Sequence, residues 1–105
     1  MKAKQPAWTK EQLEDLVHVL ARSSERIIFT THCLERLEER GVTTGEALRC
    51  LQRGQITSDP EYDSQRRTFK FLMSEPYPRD IVCLVAAVEP DPEPGKLFAI
   101  TVWDI

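Results

Sequence analysis

The chain has 105 residues, of which 41% are hydrophobic and 30% are charged, and its net charge at pH 7 is -3. This length suits one compact domain with a small core, and this composition excludes a globally disordered chain. The acidic balance disfavours a nucleic-acid binder that relies on overall positive charge, although a local basic patch remains compatible with it.

The cysteines and the apolar runs of the sequence predict the cellular compartment of the protein. No run approaches the roughly 20 apolar residues of a membrane span, and the start of the chain lacks the apolar core of a signal peptide. The three cysteines (Cys33, Cys50 and Cys83) form no CxxC pair and the chain has two histidines, which argues against a structural zinc site. We expect a cytoplasmic single domain over residues 1–105, with no metal and no cofactor.

The first predicted element is a helix at about residues 10–22, after a polar segment, residues 1–7, that is expected to be flexible. Thr9 and Gln12 have the spacing of a capping box. Apolar residues then recur at helical spacing (Leu13, Leu16, Val17 and Leu20). His18 lies beside this stripe with no second ligand at a suitable spacing, so we interpret it as a helical histidine and not as a metal ligand.

Two further helices are predicted in the first half of the chain. A β-branched and aromatic run at residues 27–31 first predicts a short strand. Thr31 is then expected to cap a helix that ends at Gly41, where a left-handed residue is needed. Thr43 begins a third helix, which ends at Gly54.

The second half of the chain has the patterns of strands. Phe69, Phe71 and Met73 alternate with more polar residues, which predicts a strand with one buried face. Strands are expected at residues 67–73, 81–88 and 96–103, with residues 57–65 as a loop. Helices followed by such strands predict an α+β domain, with the N-terminal helices packed on one face of a three- to four-stranded antiparallel sheet.

One side-chain pattern on the second helix suggests chemistry. His32, Arg36 and Arg40 recur at intervals of four, so they form one slowly curving row. Histidine transfers protons near neutral pH and arginine binds phosphate, so the row suits phosphodiester chemistry. Near a helix N-terminus His32 fits a general base better than an acid. The alternative is a solvated helix face whose arginines pair with the interleaved glutamates, and the residues alone leave both interpretations open.

The run THCLERLEERGVTTGEALRCLQRGQI resembles the bacterial family called domain of unknown function 4258. Members of that family show a His, then Glu-Arg four residues on, then Arg-Gly and an aliphatic residue, and then a short helix that ends in Gly. The ending LFAITVWDI is similar to the last strand of the family. The resemblance makes residues 28–105 the family-like core and residues 9–22 an added N-terminal helix.

That family is similar to the RelE-like and barnase-like metal-independent ribonuclease toxins. The resemblance therefore implies an α+β fold, RNA as a substrate, and a toxin–antitoxin or phage-conflict setting with a cognate antitoxin as partner. Carried over residue by residue, it implies that the catalytic residues are His32, Arg36 and Arg40. It also implies that Thr101 and Trp103 on the last strand bind substrate.

A modest basic face on the first long strand completes the predicted site. Arg66, Arg67 and Lys70 are expected to guide the RNA strand. The alternative function belongs to another class: a catalytically inert interaction module, which uses the helical hairpin or an exposed sheet edge to bind a protein partner or itself. The acidity of the chain and its interleaved glutamates suit this alternative.

Overall fold

The computed structural model describes residues 8–77, 82–91 and 95–103. Its helices are α1 (Lys10–Ala21), α2 (Thr31–Arg40) and α3 (Thr44–Arg53). The strands within these ranges are β1 (Ile27–Phe29), β2 (Gln55–Ile56), β3 (Glu61–Asp63), β4 (Thr68–Ser74), β5 (Cys83–Glu89) and β6 (Lys96–Trp103). The predicted α+β class is confirmed, while the segment 1–7, expected to be flexible, lies outside the described residues.

The strands form one mixed sheet in the order β1-β6-β5-β4-β2, with β3 also paired to β4. The sheet has more strands than predicted, because β2 and β3 each add a short strand along β4. Residues 57–65, predicted as a loop, thus contain β3, which is too short to show a period in the sequence. The sheet is also not wholly antiparallel, since β1 runs parallel to β6.

Capping boxes begin two of the three helices: the one that the sequence predicts at Thr9, and a second at Thr43. The Thr9 hydroxyl accepts a hydrogen bond from the Gln12 backbone N–H at 3.1 Å, and the Gln12 side chain accepts one from the Thr9 N–H at 3.0 Å. Thr43 and Glu46 form the same reciprocal pair at the start of α3. Each box satisfies two N–H groups that the first helical turn leaves unpaired.

The boundaries of α2 require one correction. Thr30, and not Thr31, is its N-cap: the Thr30 hydroxyl accepts from the Cys33 N–H at 3.0 Å, and the helix already begins at Thr31. Both threonines have a hydroxyl that can cap, so sequence alone separates them poorly. At the other end Gly41 adopts the predicted left-handed conformation, with φ of 67°.

The helices cover one face of the sheet, and the core lies between the helices and that face. Phe69, Phe71 and Met73 face this core, as their alternation predicts. The described helices contribute nine buried side chains (Leu13, Val17, Leu20 and Ala21 from α1, Cys33 and Leu37 from α2, and Ala47, Cys50 and Leu51 from α3). Burial of these apolar side chains is the main attraction that holds the helices to the sheet.

Side chains of α1 also hold the connection from α3 to β2. The Glu14 carboxylate accepts from the Ile56 N–H at 2.8 Å, and Nε2 of His18 lies 2.7 Å from the Gly54 carbonyl oxygen. Because a carbonyl only accepts, Nε2 of His18 carries the proton. Gln52 of α3 donates in turn to the carbonyl of the last residue of α1. His18 therefore has a structural role, in line with its interpretation as a helical histidine.

A β-bulge in β6 decides which face each residue of the last strand occupies. Across two consecutive β5 residues the β6 partner changes from Thr101 to Ala99, which leaves Ile100 as an extra residue. The extra residue reverses the alternation of side chains along the strand. As a result Val102 enters the core, and Trp103 lies on the opposite face with 56% of its surface exposed.

Candidate functional site

The sheet face opposite the helices, here called the open face, holds a row of side chains that crosses five strands. Glu61, Lys70, Ala87, Phe98 and Ile28 are successive register partners on β3, β4, β5, β6 and β1. Their sequence neighbours on β4, β5 and β6 point into the core, so this row, the cleft row, points away from it. Adjacent strands lie about 4.8 Å apart, which places consecutive side chains of the row in contact distance.

A cleft of about 920 Å³ lies over the cleft row. This volume is in the range of roughly 300–1,000 Å³ that small-molecule sites occupy. Four members of the row line it (Glu61, Lys70, Ala87 and Phe98), and the other lining residues come from the β3–β4 hairpin, the start of α2 and the β6 bulge (Thr30, Tyr62, Asp63, Ser64, Gln65, Arg66, Thr68 and Ile100). One end of the cleft is thus charged and the other apolar.

The charged end contains a carboxylate and an ammonium group that do not form an ion pair with each other. Glu61 and Lys70 are directly opposite in the register of β3 and β4. Both are exposed, and among the described residues neither makes an ion pair or a side-chain hydrogen bond. Each therefore has its hydrogen-bonding capacity available for a ligand in the cleft.

A tight turn between β3 and β4 forms the lip of the cleft. One Asp63 carboxylate oxygen accepts from the backbone N–H groups of Gln65 at 3.0 Å and Arg66 at 3.2 Å. The Arg66 guanidinium lies 3.9 Å from the other Asp63 oxygen and is 82% exposed, so this ion pair contributes little and leaves the guanidinium open to a ligand. Arg67 follows in a left-handed conformation, with φ of 57°, and does not line the cleft.

The row predicted on α2 lies outside the cleft lining. His32 is exposed, and Arg36 is half-buried with its Nη1 3.5 Å from the Glu39 carboxylate. Arg40 is exposed and also has an interaction partner. The intrahelical pairing expected for a solvated face is thus present at Arg36. The catalytic roles of His32, Arg36 and Arg40 stay a prediction.

The start of α2 nevertheless borders the cleft. Thr30 lines it, and His32 follows two residues later in the first helical turn, where helical geometry puts the two Cα atoms about 5–6 Å apart. The Thr30 N–H donates to the Ala99 carbonyl at 3.1 Å, and its hydroxyl donates to the Ile100 carbonyl at 2.9 Å. These two bonds fix the helix start to the bulge in β6.

The predicted substrate-binding residues separate into two groups. Arg66 and Lys70 line the cleft. Thr101 is half-buried and Trp103 is exposed, and both lie on the open face beside the cleft without lining it. The bulge at Ile100 gives both of them this orientation, which the sequence leaves ambiguous for Trp103.

Sequence reasoning missed the residues that give the cleft its shape. Glu61 and Tyr62 lie in the segment predicted as a loop, and Ala87 lies in a continuously apolar run that shows no preferred face. Phe98 belongs to a strand that the sequence does predict. Its role becomes visible only when the register places it beside Ala87, because cross-strand neighbours are distant in sequence.

The cysteines do not supply a nucleophile. Burial raises the pKa of Cys33 to about 11 and that of Cys50 to about 12, where the Glu75 carboxylate and Cys83 raise it further. Burial also raises the pKa of Cys83. These thiols are therefore protonated near neutral pH and unreactive, since the thiolate is the nucleophile. In the described ranges no cluster of three or more His, Cys, Asp or Glu side chains is placed to hold a metal ion.

The comparisons with known proteins concern the part of the chain that builds the cleft. A family model with the description "Domain of unknown function (DUF4258)" matches residues 29–104. The chain belongs to this family. The DUF4258 match begins at the last residue of β1 and includes α2, α3 and strands β2 to β6, so α1 precedes it. No curated protein and no solved structure matches the chain.

Over the residues that the structure describes, no helix of this DUF4258 member is long and apolar enough to cross a membrane.

Proposed function

We propose that this DUF4258 domain binds RNA in the open-face cleft and cleaves it without a metal ion, as a member of the RelE-like and barnase-like ribonuclease superfamily. The observation that carries the proposal is the charged end of the cleft. There Lys70 and Arg66 have positive groups without a strong internal partner, at the edge of a cavity of about 920 Å³. A phosphodiester is a ligand that such groups bind well.

The net charge of -3 does not oppose this proposal, because phosphate contacts are local. At about 0.15 M salt, charges on the surface are screened beyond roughly 8 Å, so acidic residues far from the cleft have little effect on an RNA strand inside it. The start of α2 adds a positive end of a helix dipole beside Thr30.

His32 is the proposed general base. It removes the proton from a ribose 2′-hydroxyl, and the 2′-oxygen then attacks the adjacent phosphorus. The bond from phosphorus to the 5′-oxygen of the next nucleotide breaks, and Lys70 gives that oxygen a proton. The products are a 2′,3′-cyclic phosphate and a free 5′-hydroxyl, while Arg66 neutralises charge on the phosphate oxygens.

A cleavage assay with purified protein tests this function. Wild type is incubated with a labelled single-stranded RNA in the presence of a metal chelator, next to the variants His32→Ala and Lys70→Ala. We expect each variant to lose at least about 100-fold in cleavage rate, the usual contribution of a positioned acid or base. Arg53→Ala removes an exposed arginine of α3 that does not line the cleft and serves as the matched control.

The same assay can contradict the catalytic claim in two ways. Equal rates for wild type, His32→Ala and Lys70→Ala would show that neither residue acts in cleavage. A rate that Arg53→Ala lowers as much as Lys70→Ala does would show that overall charge, and not the cleft, is responsible. Growth arrest on expression of wild type but not of His32→Ala would support the toxin setting.

A second candidate, a protein interaction module, is favoured by one observation. β1 ends the strand order of the described sheet, so the outer edge of its backbone has no strand partner there. Ile28 on this strand is 43% exposed. Such edges add a strand from another chain. A mass measurement in solution by light scattering tests this candidate: a dimer that Ile28→Lys dissociates supports it, whereas a monomer excludes self-association.

A further inference from the structure

We propose that the cleft contains a base-binding site, the Ala87 slot, defined as the space above Ala87 between the side chains of Lys70 and Phe98. In it one unpaired nucleobase stacks against Phe98. The ligand of the cleft is accordingly single-stranded RNA whose bases are not paired. This inference rests on the proposed function, since it concerns the same cleft.

The shape of the slot follows from the cleft row. Lys70, Ala87 and Phe98 are register partners on three adjacent strands, so the backbones of β4 and β6 that flank Ala87 are about 9.5 Å apart. A methyl group is far shorter than the two flanking side chains. Ala87 is only 4% exposed and still lines the cleft, which shows that it forms the bottom of a narrow space.

The chemistry of the slot changes from one wall to the other. Phe98 and Ile100 supply apolar walls on the β6 side, and Lys70 and Arg66 supply cations on the β3–β4 side, next to the carboxylates of Glu61 and Asp63. A nucleotide likewise has an apolar part and a charged part, because its flat ring with π faces is joined through a sugar to a phosphate. An aromatic side chain can stack with any base, while cationic side chains contact the phosphates of the backbone.

The slot also excludes a duplex. In a double helix both faces of each base are covered by neighbouring bases, and the edges are paired, so no ring is free to lie against Phe98. An unpaired strand exposes its rings at little cost. The cleft row therefore predicts that single strands bind more tightly than duplexes. Because stacking does not depend on the hydrogen-bonding groups of a base, it also predicts little selectivity among the four bases.

Fluorescence anisotropy with labelled oligonucleotides tests this inference. Three ligands of equal length are compared: a single strand that carries 2′-O-methyl groups and cannot be cleaved, the corresponding duplex, and an abasic strand with the same phosphates. We expect wild type to bind the single strand at least about 10-fold more tightly than either of the others, a ratio within the usual effect of one stacked base. Ala87→Leu fills the slot and should reduce single-strand affinity to the abasic level.

A second pair of variants keeps the test independent of folding defects. Phe98→Leu retains an apolar side chain of similar size and loses the ring, so it should lower the affinity for the base-bearing strand and leave that for the abasic strand unchanged. Val19→Leu adds bulk on the exposed side of α1, outside the cleft lining, and should bind as wild type does. Far-UV circular dichroism establishes that each variant is folded.

The outcomes separate this inference from the function on which it rests. Equal affinity of wild type for the base-bearing and abasic strands overturns the base-binding site while RNA binding itself stands. If Ala87→Leu and Phe98→Leu both keep the full wild-type affinity for the single strand, the base-binding site does not lie at the Ala87 slot. Failure of all three ligands to bind contradicts the proposed function as well, and leaves the slot without a nucleotide.

Discussion

The Thr30 hydroxyl donates a hydrogen bond to the Ile100 carbonyl at 2.9 Å, and it also accepts one from the Cys33 N–H at 3.0 Å. One side chain thus caps α2 and satisfies a carbonyl at the β6 bulge, where the ladder to β5 is interrupted. Both Thr30 and Ile100 line the cleft. The position of the first turn of α2, which contains His32, is therefore coupled to the shape of the cleft.

Thr30→Ala should lower the free energy of unfolding by about 1–2 kcal/mol, because the cap and the bond to Ile100 are both lost. Thr31→Ala, one residue later on the exposed helix surface, is the matched control and should stay within about 0.5 kcal/mol of wild type. Denaturation in urea measures both variants. If Thr31→Ala is the more damaging one, the assignment of the cap to Thr30 is wrong.

Gly54→Ala should be destabilising for a steric reason. A Cβ atom at Gly54 would collide with the Cys50 carbonyl oxygen and approach the Ser74 carbonyl oxygen to 3.1 Å, both of them backbone atoms. Overpacking of this kind costs about 1–3 kcal/mol. Gly45→Ala, in the first turn of α3, meets an ordinary contact with the Thr43 hydroxyl and should be tolerated. Thermal unfolding of both variants measures the difference.

The buried thiols predict a loss of stability at alkaline pH. The pKa of Cys33 is about 11 and that of Cys50 about 12 in the folded chain, against 9.0 for an unperturbed thiol. Below pH 9 both states carry the protonated thiol, and the full contribution to stability is present. Above pH 9 the unfolded chain ionises first, so stability falls until the folded pKa is reached, by up to about 1.4 kcal/mol per pH unit and thiol.

Urea denaturation at a series of pH values above 8 measures this slope. Other groups that titrate in the same range affect wild type and variants alike, so the comparison is with Cys33→Ala, whose slope should be smaller than that of wild type. The lower absolute stability expected of this variant does not affect the comparison, since only the change in the free energy of unfolding with pH is compared. Identical slopes would mean that Cys33 ionises as readily in the folded chain as in the unfolded one.

α1 precedes the residues that the DUF4258 family model matches, yet it should be required for folding. Leu13 and Val17 are fully buried, and the Glu14 carboxylate accepts the Ile56 N–H at 2.8 Å. Glu14→Ala leaves that N–H without its charged acceptor and should cost about 1.5–3 kcal/mol. Asp15→Ala, on the exposed side of the same helix, should have little effect. Equal unfolding midpoints for the two variants would contradict the anchoring role.

Arg67 should show a conflict between stability and RNA binding. Its φ of 57° lies in the left-handed region, which costs a non-glycine residue about 1–2 kcal/mol. Arg67→Gly should therefore stabilise the fold by up to about 1 kcal/mol, since glycine also loses more entropy on folding. If Arg67 guides RNA as predicted, the same variant should bind RNA more weakly. Unchanged affinity would remove Arg67 from the RNA-binding surface.

The parts of the fold that could be predicted from sequence are those with local causes. The alternation of Phe69, Phe71 and Met73 predicts the buried face of β4, and the capping residues Thr9 and Thr43 predict the starts of two helices within one residue. Each of these signals lies within a few residues of the structure that it specifies. Local propensity and tertiary packing agree at these positions.

The cleft could not be predicted because its causes are not local. The bulge at Ile100 reverses the face of Trp103, and nothing in an apolar strand marks where an extra residue is inserted. The pairing of β3 with β4 brings Glu61 beside Lys70, although β3 is too short to show a period. Likewise the parallel pairing of β1 with β6 depends on how the whole chain returns to the sheet edge.

The salt dependence of RNA binding tests the central claim, that the cleft binds RNA through Lys70 and its neighbours, most directly. For a single strand the slope of log K against log salt concentration is about -0.7 for each phosphate contact. Wild type should show a slope of about -2 if Lys70, Arg66 and one further cation are engaged, and Lys70→Gln should reduce its magnitude by about 0.7. A slope near zero, or one that Lys70→Gln leaves unchanged, would contradict the account.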